Sequence, residues 1–176
     1  MIQLHPVINP DKLNSDLKQI YEASFPEDER REWTQLLELL GNAQFCLNEI
    51  YDHQKFIGFI SIWNLNEFSF IEHFAIRDEE QKKGYGTQTI EQVLSMNSKP
   101  VILEVEEPFT NTARKRISFY ERLNFSVNAG NYFQPPYSIV KSSINMLLMS
   151  YPIKIESTDF ERIKAQIHDR VYGYKA

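Results

Sequence analysis

The chain has a single cysteine, Cys46, among 176 residues, so no internal disulfide framework and no cysteine-based metal site can form. Its four histidines lie far apart and show no ligand spacing such as HxxxH, which leaves no metal centre to expect. Basic residues are outnumbered: 19 Lys and Arg against 24 Asp and Glu give a formal net charge of −5, and a broad nucleic-acid-binding face needs the opposite balance. No apolar run approaches the roughly 20 residues that span a bilayer. Residues 1–6 lack the basic start and apolar core of a signal peptide. The expectation is a cytoplasmic protein with no membrane or nucleic-acid partner. Glycine is also sparse, at six residues, so each glycine in a patterned segment asks for a reason.

What is present suits one folded domain over residues 1–176. The composition is 42% hydrophobic and 24% charged, enough apolar material for a full core, and the aromatic share of 13% is high. Residues 2–8 read as a strand. Leu13, Leu17, Ile20 and Tyr21 recur at helical spacing over 11–24, and a second helix with Trp33, Leu36, Leu37 and Leu40 closes at Gly41. Strands follow at 44–51, 55–63 and 67–76. A helix begins near Gly84, a strand covers 101–105, a helix 111–122, and strands lie near 125–128 and 138–149. The final helix, 158–174, opens on Thr158-x-x-Glu161, a capping-box pattern, and carries Phe160, Ile163, Ile167 and Val171 on one stripe. This order predicts an α/β (α+β) fold: a mixed, mostly antiparallel sheet with helices on both faces. The last stripe either packs on its own domain or serves a homodimer.

The most informative stretch is Gln81-Lys82-Lys83-Gly84-Tyr85-Gly86-Thr87, between a strand and a helix. A helix start leaves backbone N–H groups unpaired at the positive end of the helix dipole. A diphosphate can accept from them, provided no Cβ blocks its approach, which suits glycine at 84 and 86. Lys82 and Lys83 add charge at the rim. A plain turn using glycine for positive φ is the competing reading. Neither GxGxxG (position 89 is Thr89) nor GxxxxGK[ST] is present.

Two motifs in the right order decide the context. Phe74-Ala75-Ile76 followed by Gln81-x-x-Gly84-x-Gly86 resembles the coenzyme A pyrophosphate loop of the GNAT superfamily of acyltransferases. Downstream, Phe119-Tyr120-Glu121-Arg122-Leu123-Asn124-Phe125 is similar to that family's FYE(K/R)xGF signature. The resemblance covers residues 45–149 well. It extends to a bacterial branch with Leu103-Glu104-Val105-Glu106-Glu107-Pro108, Arg116-Ile117-x-Phe119-Tyr120-Glu121-Arg122 and Tyr132-x-Gln134-Pro135-Pro136-Tyr137. It implies the GNAT fold and an N-acetyltransferase that moves an acetyl group from acetyl-CoA, without metal, to a primary amine whose identity stays open; the acidity and aromatic content tilt the expectation toward a small-molecule amine. A non-catalytic acyl-CoA sensor or partner-binding module on the same fold is the alternative.

The resemblance implies that Phe74, Ala75, Ile76 and residues 81–87 (Gln81, Lys82, Lys83, Gly84, Tyr85, Gly86, Thr87) bind the cofactor, with the backbone of Phe74 and Ile76 holding the pantetheine amides. Two positions depart from the family. Its usual pantetheine-contacting Asn falls at Thr112, with Asn111 one residue earlier. Asn124 replaces the glycine before the final Phe, a mild change because Asn tolerates the left-handed region.

Amine attack on a thioester needs a base, because an amine of pKa near 10 is mostly protonated at neutral pH. Glu72 is the candidate. Strict alternation would put it on one strand face with Phe70 and Phe74, and His73, an alternative base, on the other with Ile71 and Ala75. A carboxylate in so apolar a strand needs a partner or a purpose. Tyr120 is the candidate acid by its match to the signature. Glu104 and Glu106 share one strand face and are read either as substrate contacts, with Glu104 able to share the base role, or as a solvated face. Tyr132, Tyr137, Trp33 and the acidic run 27–29 are candidates for the acceptor pocket, with core packing as the competing reading for Trp33.

Overall fold

The computed structural model describes residues 2–175. Among the described residues, eight strands and five α-helices follow one another: β1 (Ile2–Pro6), α1 (Leu17–Ser24), α2 (Trp33–Glu38), β2 (Phe45–Asp52), β3 (Lys55–Asn64), β4 (Ser69–Ile76), α3 (Tyr85–Met96), β5 (Val101–Glu106), α4 (Asn111–Arg122), β6 (Ser126–Val127), β7 (Tyr132–Gln134), β8 (Ile144–Tyr151) and α5 (Ser157–Arg170). All strands join one mixed sheet in the order β1-β2-β3-β4-β5-β8-β6, with β7 also pairing to β8. Every pairing is antiparallel except β4 with β5.

Each face of the sheet buries its own apolar cluster, as a two-sided sheet must. On one face Leu17, Tyr21, Leu36, Phe59, Trp63, Phe70 and Phe160 come together from α1, α2, α5 and the strands beneath. On the other, Ile60, Ile71, Ile90, Val93, Leu103, Ile117 and Tyr120 join α3 and α4 to the sheet. The stripe Phe160, Ile163, Ile167 and Val171 is buried against its own domain, so that surface is used within the chain. Among the described residues no helix is long and apolar enough to cross a membrane.

Three local expectations need correction. The segment 11–24 is not one helix: a 3-10 turn (Pro10–Lys12) precedes α1, because Pro10 starts a turn that Leu13 leaves in an extended conformation. Thr158 does not cap α5. The helix follows Glu156, with no side-chain cap, and Thr158 sits inside the first turn. The reciprocal capping box is on α2 instead, between Glu32 and Gln35. Near the C-terminus there are three short-to-medium strands rather than two, since β7 forms its own pairing with the start of β8.

A further correction shapes the site. Ser61 pairs with His73 and Ile62 with Ile71, so Glu72 is the extra residue of a β-bulge. A bulge breaks alternation and can turn two consecutive side chains to one face. Glu72 and His73 therefore both point to the face of Phe70 and Ala75, toward Trp63 and Tyr21, while Phe74 packs on the opposite face.

Candidate active site

The parallel pairing of β4 with β5 is short, running only from Ser69–Val101 to Ile71–Leu103. Both strands continue, to Ile76 and Glu106, with no rungs between them. The sheet is split there, and a cleft of about 870 Å³ runs along the split. On its other edge, β4 stays bound to β3: Arg77 donates its amide to Ile57 O (2.9 Å) and the His73 amide reaches Ser61 Oγ (3.1 Å). Amides alternate in direction along a strand. Those of Phe74 and Ile76 therefore face the gap. Of the two carbonyls, that of Ile76 already accepts from Gln81 Nε2 at 3.2 Å.

At one end the cleft meets the start of α3. Its first helical bond is Gln88 N to Gly84 O (3.1 Å), and the amides of Tyr85, Gly86 and Thr87 have no acceptor among the described residues. Gly84 has φ of 84°, which its position at the helix start demands of the backbone. Gly86 differs. A Cβ there would meet Phe119 at 3.5 Å, an ordinary contact, so the fold does not require glycine at this position. What glycine leaves open at 86 is space on the cleft side, beside free N–H groups at a helix dipole's positive end. That is the requirement for seating a diphosphate.

Phe74, Ala75, Ile76, Gln81, Lys82, Gly84, Gly86 and Thr87 all line the cleft. Lys83, Tyr85 and Asn111 do not. Lys83 pairs with Glu80 (3.1 Å), the Tyr85 hydroxyl donates to Asp52 (2.8 Å), and Asn111 accepts from Arg114 (2.6 Å). Thr112 takes the cleft-facing place, because Thr110 caps α4 through the Ala113 amide and fixes the helix phase. Asn124 has φ of 64°, the left-handed conformation expected of it.

At the other end the cleft is acidic, lined by Glu29, Glu72, Glu104 and Glu106. These four carboxylates are not equivalent. Glu72 is held by Arg31 Nε (2.9 Å), Trp63 Nε1 (2.8 Å) and the Tyr137 hydroxyl (3.0 Å). Burial alone would raise its pKa, but the Arg31 guanidinium and the two neutral donors outweigh it and hold the carboxyl below its ordinary value. Arg31 also donates to Val171 O (2.5 Å) and lies over the Tyr137 ring at 4.7 Å, so this knot ties loop, sheet and C-terminus together. A carboxylate so satisfied is a poor proton acceptor, so this setting disfavours Glu72, the base expected from the sequence. Tyr137, expected in the acceptor pocket, belongs to this buried knot.

His73 is a neutral histidine. Burial pushes its pKa down, and its Nε2 lies 3.0 Å from Glu29 O. A carbonyl only accepts, so Nε2 carries the proton and Nδ1 keeps a lone pair that is buried and unpartnered, 4.0 Å from Glu72 Oε2.

Glu104 stands in a different environment. Its two oxygens accept from the hydroxyls of Tyr132 (2.6 Å) and Tyr172. No cation pairs with it among the described residues. Protein surrounds it while part of its surface opens to the cleft, and desolvation raises its pKa to about 7, with Glu72 and Glu29 adding to the rise. Glu106 is neutralised by Arg116 (2.6 Å). Tyr120 lies on α4, in the cleft wall. Its hydroxyl has no partner among the described residues, and burial pushes its pKa up to about 12, so the phenol stays protonated. Trp33 packs on the core beside Tyr21 and does not line the cleft.

Sequence reasoning did not reach Arg31, Tyr172 or the α1 residues Gln19 and Ile20, which also line or frame the site. The charge run at 27–32 is the one signal that pointed toward Arg31. No group of three His, Cys, Asp or Glu among the described residues is arranged to hold a metal.

A split sheet with free helix-start amides at one end of its cleft and a partly buried carboxylate without a cationic partner among the described residues at the other suits an acyltransferase. The acetyltransferase (GNAT) family model matches residues 12–125, and the chain belongs to that family. A protein assigned to the GNAT family of acetyltransferases in Bacteroides thetaiotaomicron is 34% identical, with a TM-score of 0.91 over 98% of this chain and 99% of its own. The ribosomal-protein-S18-alanine N-acetyltransferase of Escherichia coli shares the fold at 15% identity, with a TM-score of 0.61 over 89% of this chain and 97% of its own. So does a GNAT family acetyltransferase from Elizabethkingia anophelis with acetyl-CoA bound, at 15% identity and a TM-score of 0.61, over 86% and 98%. No curated protein matches this chain.

Proposed function

We propose that the protein transfers an acetyl group from acetyl-CoA to a primary amine, with Glu104 as general base and Tyr120 as general acid. The observation that carries this reading is the placement of Glu104: it lines the cleft, accepts only from two tyrosine hydroxyls and has no cationic partner among the described residues, a setting in which desolvation raises its pKa to about 7. A base works best when its pKa lies near the working pH. The same site is offered free amides and an open Gly86 for the diphosphate of acetyl-CoA, whose thioester supplies the acyl group when bound. The solved relative with acetyl-CoA bound supports that choice of co-substrate.

Glu104 takes a proton from the acceptor ammonium and frees the nitrogen lone pair to attack the thioester carbonyl carbon. Gap-facing amides of β4 are the donors at hand for the developing oxyanion. As the C–S bond breaks, Tyr120 gives its phenolic proton to sulfur. The second proton leaving nitrogen restores the phenol. The products are an amide and a thiol. Lys82 at the cleft rim adds charge toward phosphate, while Lys83, Tyr85 and Asn111 act at most indirectly.

The test is an amine panel with acetyl-CoA, read by mass. Glu104→Gln should retain coenzyme A binding and lose at least about a hundredfold in kcat, the ordinary contribution of a positioned base. Tyr120→Phe should retain binding with a smaller loss. The wild-type rate should fall as pH drops through about 7, because the base must be unprotonated. Full turnover by Glu104→Gln with a flat acid limb would reject the assignment.

A further inference from the structure

The acceptor end of the cleft carries more negative charge than one ammonium can balance. Four carboxylates line it, and Arg31 and Arg116 neutralise two of them, Glu72 and Glu106. Glu104 and Glu29 remain. Glu29 is half-buried, its carboxylate has no hydrogen bond or ion pair among the described residues, and its pKa is raised, first by desolvation and then by Glu106. Arg116 offsets the rise only in part and forms its ion pair with Glu106 instead: the backbone carbonyl of Glu29 is bound by His73, while the side chain is left to the cleft. The position is also fixed. Asp28 O accepts from Gln134 Nε2 (2.9 Å), Arg30 O from Lys141 Nζ (2.7 Å), and Arg31 is locked to Glu72, so the residues on both sides of Glu29 are tied down. Independent of these acids, the unpartnered hydroxyl of the buried Tyr120 lines the same cleft and marks it as a place for a ligand.

We propose that the acceptor is a small amine carrying a second positive charge, whose distal ammonium is received by Glu29 while the reacting nitrogen lies at Glu104. The inference rests on the acyl-transfer reading above and adds the class of acceptor to it. A monoamine hands its proton to Glu104 and leaves Glu29 charged and partly desolvated, with no direct ion pair among the described residues. A diamine removes that cost, because its second nitrogen stays protonated and forms a charge-assisted hydrogen bond. Phe25, Gln134 and Met146 line the same cleft as Glu29 and Glu104, so the acceptor is enclosed by side chains rather than laid on an open face.

Binding can be read without turnover. Calorimetry on the full chain with bound coenzyme A would compare α,ω-diamines of three to eight carbons with monoamines of matched length. At least one diamine should bind about tenfold or more tightly than its monoamine at low salt. The preference should shrink as ionic strength rises. Glu29→Gln should bring the ratio close to one by weakening the diamine alone. In turnover, the same variant should raise KM for the diamine by a larger factor than it changes kcat, since Glu29 also adds to the raised pKa of Glu104. Equal affinity for mono- and diamines in the wild type, an unchanged ratio in Glu29→Gln, or tighter binding of a dibasic peptide than of every diamine would each overturn the inference. Absence of acetyl transfer to any amine, with diamine preference intact, would instead overturn the acyl-transfer reading.

Discussion

Glu72 carries its charge where its side chain has no exposed surface, so its energy depends on the Arg31 guanidinium 2.9 Å away. Removing one member of such a pair strands the other, whereas removing both can be close to neutral. Arg31→Met should therefore cost about 3 to 5 kcal/mol of stability, and Arg31→Met with Glu72→Gln should recover a large part of it. Urea unfolding of the two single variants and the double variant checks this. Additive losses would mean that the pair is not coupled as its geometry indicates. Before the structure, the apolar setting of Glu72 was legible and demanded a partner or a purpose. The partner was not legible, because Arg31 lies 41 residues away in a run that reads as a solvated charge cluster. Glu104 was readable as a face of its strand. Its pKa depends on Tyr132 and Tyr172 arriving from β7 and from just beyond α5, which no local pattern announces.

Among the elements, α3 and β4 divide the work of holding a co-substrate, and each shows what periodicity can and cannot tell. The start of α3 was plain in the sequence, since a strand, a glycine pair and a helical stripe follow one another within 20 residues. The bulge in β4 was not. A two-residue period extends through Glu72 and His73 without any glycine or proline to mark a break, and only the pairing with β3 reveals the extra residue. Lys83 was placed in the phosphate turn by sequence adjacency, but Glu80, three residues before it, claims its ammonium. At Gly86 the two demands of fold and ligand come apart. The nearest atom to an added Cβ is on Phe119 at 3.5 Å, so Gly86→Ala should fold at least as well as the wild type. Replacing glycine near a helix start can even stabilise the chain by up to about 1 kcal/mol. The added methyl sits beside the cleft-lining rings of Phe119 and Phe74, and it should weaken coenzyme A by roughly tenfold, about 1.4 kcal/mol. Thermal unfolding and calorimetry on the same variant separate the two effects. Equal affinity in Gly86→Ala and a bulkier Gly86→Val would remove the turn from the binding site.

At the scale of the whole molecule, the proposed base should lower the stability of the fold that contains it. An exposed glutamate titrates near 4.5, and Glu104 in the folded protein is raised to about 7 by desolvation. Below pH 4.5 both states hold the proton and the residue contributes no pH dependence. Between 4.5 and 7 the unfolded chain ionises while the folded chain does not, so the unfolded state binds fewer protons and stability falls as pH rises. Above 7 the folded protein carries the buried charge and the whole penalty remains, at most about 3 kcal/mol for a shift of this size. Glutamine keeps the shape and cannot ionise. Glu104→Gln should then unfold close to the wild type near pH 4 and become progressively more stable than it up to pH 7.5, by several degrees in Tm. The same substitution is the one expected to lose at least about a hundredfold in kcat. A gain in stability that appears only where the carboxylate would be charged ties the cost to the ionisation that catalysis needs. A difference in Tm that stays constant from pH 4 to pH 8 would show that Glu104 titrates as an ordinary glutamate, and would leave the proposed base without its proton affinity.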